Sequence, residues 1–77
     1  MKIHRYTIIL HPDPEESGYW VSVPALPGCN TQGDTLTEAI ENAREAISLY
    51  IEDLIAHDEP VLEEAEHPQA IVIDVAA

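Results

Sequence analysis

The stretch that most constrains this chain runs from Val23 to Leu54, VPALPGCNTQGDTLTEAIENAREAISLYIEDL. Pro24 and Pro27 each fix φ near about −65° and lack a backbone donor, so neither fits inside a central strand. Gly28 beside them opens a backbone conformation closed to other residues. The chain must therefore turn here. Downstream, Thr35 precedes the first apolar helical position and Glu38 stands three residues on. At that spacing a hydroxyl and a carboxylate can satisfy each other's orphan backbone N–H groups, so a helix is predicted to start at Thr35. Leu36, Ile40, Ala43, Ile47, Tyr50 and Leu54 then recur at intervals of four and three, thickened by Ala39, Ala46 and Ile51. This is one apolar face of a long helix, bounded by Pro60 on its C-terminal side.

The flanking segments read as strands. Lys2 to His11 places Tyr6, Ile8 and Leu10 on one face and Ile3, Thr7 and Ile9 on the other. Tyr19 to Val23 places Tyr19, Val21 and Val23 opposite Trp20 and Ser22, and Cys29 to Gly33 supplies a short third strand. Between the first two, HPDPEESG reads as an exposed turn. Ile71 to Val75 alternates Ile71, Ile73 and Val75 against Val72 and Asp74 and is expected to be a final strand. The expected fold is α+β: one two-layer βββαβ domain over residues 1–77, an antiparallel sheet with one long helix packed on one face. Apolar residues on both faces of the first strand leave two readings. Either the outer face meets another subunit, or the strand is central and covered twice.

Charge narrows the function. Fifteen acidic residues face three basic ones, a net charge of −12. Such a surface repels phosphate backbones and anionic headgroups, so direct nucleic-acid binding is not expected, and basic proteins are the natural partners. No stretch approaches the roughly 20 apolar residues of a membrane span, and the N-terminus lacks a signal-peptide core, so a cytoplasmic protein is expected. With 77 residues the core is small, which favours a homo-oligomer, dimer or tetramer.

The central residues resemble a known family. Tyr19-Trp20-Val21, Val23-Pro24, Leu26-Pro27-Gly28-Cys29, Thr31-Gln32-Gly33-Asp34-Thr35, Glu38-Ala39, Asn42-Ala43 and Glu45-Ala46-Ile47 are similar to the HicB-like antitoxins, also grouped as UPF0150. The resemblance covers roughly the middle half of the chain. It implies the same βββαβ arrangement, described as a partial ribonuclease-H-like fold. It also implies a partner: a small basic HicA-type toxin that cleaves messenger RNA and is neutralised when its RNA-binding surface is occluded. Many members add a C-terminal DNA-binding domain. This sequence stops two residues after Val75, so it is expected to be a short form that lacks one. The alternative is a stand-alone oligomeric domain with a binding or regulatory role and no toxin.

The partner-binding candidates are acidic: Glu38, Glu41, Glu45 and Glu52 on the helix, and Glu63 and Glu64 in the segment after it. Each set has a second reading, as solvated helix surface and as an exposed acidic linker over Asp58 to His67. Pro24, Pro27, Gly28, Cys29, Gly33, Asp34 and Thr35 are assigned to the fold, because turn and cap geometry accounts for them. No catalytic residue, metal site or cofactor is expected. His4, His11, His57 and His67 lack zinc-site spacing, and Cys29 has no local cation to activate it. Asp34 and Asp74 alone do not make a two-metal nuclease centre.

Overall fold

A computed structural model describes residues 2–77. Its elements are β1 (Ile9–Pro12), β2 (Tyr19–Ser22), β3 (Asn30–Gly33) and α1 (Leu36–Ala56). The strands form an antiparallel meander in the order β1-β2-β3, with Leu10 opposite Val21 and Val21 opposite Thr31. The first turn is stabilised by its own aspartate: Asp13 accepts from the backbone N–H groups of Glu15 at 2.9 Å and Glu16 at 3.2 Å. The second is the proline loop, closed where Val23 donates to the Cys29 carbonyl and Cys29 donates to that of Leu26.

β1 is shorter than the predicted Lys2–His11 strand. Residues 2–8 form no ladder because β2 ends at Ser22 and the chain turns away through Pro24, so no strand stands opposite them. β1 is also an edge strand, and β2 is the central one. That removes the doubly covered reading of the first strand. Its outer face is open, with Ile9 and Trp20 exposed at 38% and 48%.

The final strand expected over Ile71–Val75 does not form. This segment forms neither strand nor helix, and Ile71, Val72, Ile73 and Val75 are all exposed. Alternating apolar residues make a strand only where another edge accepts their backbone groups, and this segment pairs with neither edge of its own sheet. The sheet therefore has three strands rather than four.

The helix covers the inner face of the sheet. Ala39 and Ala43 pack on Val21 with Ile8, Leu10 and Tyr19 around them. Further along, Val23, Leu26 and Cys29 of the proline loop meet Ala46, Ile47 and Tyr50. Small residues at the first contact let the helix approach closely, and Gly33 takes this furthest. A Cβ on Gly33 would lie 2.4 Å from the Ala39 nitrogen. Beyond the helix, Asp58 adopts φ 54° and Glu59 donates to the Leu54 carbonyl, which closes the C-terminus with an aspartate where glycine is the usual choice.

Candidate protein interface

The start of the helix fixes where its side chains point. Thr35 caps it from an extended conformation, its hydroxyl accepting from the Glu38 N–H at 3.1 Å. The Glu38 carboxylate accepts from Asp34 N–H at 3.3 Å, one residue earlier than the reciprocal box predicted from the sequence. In the second turn, Asn42 donates to the Gln32 carbonyl and ties the helix to β3. Tyr50 donates to the Pro27 carbonyl and ties it to the loop. These bonds set the rotation of α1 about its axis.

With the rotation set, Glu38, Glu41, Glu45 and Glu52 form one stripe. At 3.6 residues per turn they fall within roughly 60° of arc, on the side away from the buried Ala39, Ala43 and Leu54. All four are exposed, and no ion pair reaches them among the described residues. Leu49, 58% exposed, stands in the same stripe and adds an apolar contact point. Arg44 is the one basic residue of the helix and lies on its flank.

Glu63 and Glu64 lie elsewhere. They clasp the segment after the helix to the segment before β1. Glu63 accepts from Lys2 Nζ at 3.0 Å and lies 3.2 Å from His4 Nδ1. Glu64 accepts from the Thr7 N–H at 2.9 Å and the Thr7 hydroxyl at 2.7 Å, and it also meets His67. Its side chain is only 6% exposed. Burial pushes the Glu64 carboxyl up, but the Thr7 and His67 hydrogen bonds outweigh this and hold it below the usual range. The Lys2 hydrogen bond lowers that of Glu63. Tyr6 joins the clasp by donating to the Leu62 carbonyl, and its phenol is raised by burial and by Glu63.

The remaining candidates are fold residues in their placement. Cys29 is buried, and burial pushes its thiol up, away from nucleophile chemistry. Gly28 adopts φ 81° in the loop. Asp34 is exposed at the helix start, and Asp74 lies in the exposed C-terminal segment. The open sheet face carries a feature that sequence reading left unassigned. The His11 ring stacks on Trp20 with centroids 3.5 Å apart, and His11 Nε2 lies 3.1 Å from Ser22 Oγ. Its only sequence signal was the alternation that put a large Trp opposite the valines. Among the described residues no helix is long and apolar enough to cross a membrane.

Residues 6–73, which include the stripe and most of the clasp, match the family described as the HicB-like antitoxin of bacterial toxin–antitoxin systems. The chain belongs to the HicB-like antitoxin family. This HicB-like chain is 49% identical over 63 residues to a UPF0150 protein of Synechocystis, covering 82% of itself and 78% of that relative. It is 53% identical over 57 residues to a UPF0150 protein of Thermoplasma acidophilum, covering 74% and 81%. The antitoxin HicB 1 of Photorhabdus laumondii is 46% identical over 57 residues, which span 69% of this chain and 36% of that protein. The UPF0150 relatives share its scale, and the named antitoxin is a longer protein.

Proposed function

We propose that this HicB-like protein is an antitoxin-type interaction domain that neutralises a small basic HicA-type toxin by covering the toxin's RNA-binding surface. The observation that carries this reading is the carboxylate stripe of Glu38, Glu41, Glu45 and Glu52 on the helix face opposite the core, free of ion pairs among the described residues. A toxin that cleaves RNA must present Lys and Arg to phosphates, and carboxylates on a rigid helix compete for the same groups. Leu49 within the stripe supplies the apolar contact that pure charge lacks. The net charge of −12 steers a cationic partner toward the domain and keeps RNA away from it. We place the protein in the cytoplasm, where its messenger-RNA-cleaving target acts, and read it as a homo-oligomer.

A second reading, a stand-alone oligomer without a toxin, draws support from the exposed aliphatic segment Ile71–Val75, which calls for another copy rather than a cationic protein. A native pull-down with the full chain at low salt, read by mass spectrometry, separates the two. The first reading expects a stoichiometric small basic protein. It also expects the triple variant Glu41→Lys, Glu45→Lys, Glu52→Lys to bind that protein at least about tenfold more weakly, with an unchanged circular-dichroism melt. Recovery of the chain only with itself would overturn the antitoxin reading.

A further inference from the structure

The strand missing from the sheet and the unfilled surface beside β1 are complementary. β1 is an edge, and its register decides which backbone groups are free. Asp13 donates to the Gly18 carbonyl and Ile9 stands opposite Ser22, so by the antiparallel alternation Ile8 and Leu10 point their N–H and C=O groups away from β2. Next to that edge, between residues 4–8 and the helix, lies an open groove of about 520 Å³ lined by Tyr6, Ile8, Ile40, Arg44, Ile47 and Ile51. An additional strand at the edge would lay one face of side chains into it.

The chain carries such a strand, unused. Ile71, Ile73 and Val75 alternate with Val72 and Asp74, and the four aliphatic residues are 73–97% exposed. Residues 70–77 are exposed throughout. The clasp at Glu63 and Glu64 fixes where this tail leaves the body. The tail is also lightly charged for an acidic chain, with Asp74 its one charged side chain from Pro68 onward. Two copies can approach there with little mutual repulsion.

We propose that residues 71–75 add to the β1 edge of a second copy, with Ile71, Ile73 and Val75 filling that copy's groove and the exchange repeated reciprocally about a two-fold axis. The face carrying Asp74 then lies on the outer side of the sheet with Arg5, an exposed cation that has no ion-pair partner among the described residues. This exchange covers the exposed aliphatics, satisfies the open edge and completes a four-stranded sheet in each copy. It rests on the homo-oligomer reading above and gives it a mechanism.

Two measurements on the full chain test it. Sedimentation velocity is expected to give a dimer, and Ile73→Asp, at a position exposed within its own chain, is expected to weaken dimerisation at least about tenfold while leaving the helical circular-dichroism signal intact. A sample co-refolded from methyl-labelled and unlabelled copies is expected to show magnetisation transfer between copies, from the Ile73 methyl of one to the Ile47 or Ile40 methyl of the other. A monomer overturns the proposal and the oligomer reading together. A dimer indifferent to Ile73→Asp, or one whose Ile73 contacts stay within a chain, overturns the exchange alone.

Discussion

Two glycines, Gly28 in the proline loop and Gly33 at the end of β3, are required for different physical reasons, and substitution separates them. At Gly33 the constraint is space, since an added methyl meets the Ala39 backbone and not a flexible side-chain end. Gly33→Ala is expected to destabilise by at least about 2 kcal/mol, because the helix must move off the sheet to make room. At Gly28 a methyl group would meet nothing within 4 Å, and only the positive φ of 81° is at issue. Gly28→Ala is expected to cost about 1–2 kcal/mol, with the helix contacts intact. Urea midpoints rank the two, and an unchanged midpoint for Gly33→Ala would contradict the close approach. The sequence marked both as fold residues but could not tell a conformational need from a steric one. The distinction depends on Ala39, which lies six positions along the chain and across the sheet–helix contact.

Among the elements, the helix was the most legible, because its signals are local. Thr35, Glu38 and the apolar stripe all lie within a few residues of what they control. Thr35→Ala is expected to lose about 1 kcal/mol as one orphan N–H goes uncapped, a loss read from the thermal midpoint with the fold retained. At the far end Asp58 holds a left-handed conformation that glycine adopts without strain. Asp58→Gly is therefore expected to stabilise by about 0.5–1 kcal/mol, and a lower midpoint would argue against the capping role. The strands were less legible, since a ladder ends where its neighbour ends. Nothing within Lys2–Ile8 signals that Pro24 has taken the opposite strand away. The Ile71–Val75 segment has the pattern of a strand, and no pattern states which edge receives it. The acidic stripe was readable as residues, but not that Glu63 and Glu64 leave it to clasp the N-terminal segment. Their partners, Lys2 and Thr7, lie 61 and 57 residues away.

For the molecule as a whole, that clasp makes stability depend on pH. Glu64 in the folded state titrates below its ordinary range, so its contribution is fully present above the unfolded-state carboxylate value of about 4.3 and is lost as pH falls through the folded one. The thermal midpoint is expected to decline on acidification below about pH 5, and more shallowly in Glu64→Gln, which cannot titrate. Identical slopes for the two proteins would remove Glu64 from the acid response. The clasp also has a consequence in time. The meander and helix close through short loops, whereas Lys2–Glu63, Tyr6–Leu62 and Thr7–Glu64 join positions 56 to 61 residues apart. Loop closure over such a span is entropically the most costly contact in the chain, which makes it the last to form during folding. On the ribosome the residues of the sheet and helix, 9–56, are made before the segment that completes the clasp. The segment before β1 then waits for residues 62–64, which follow the helix.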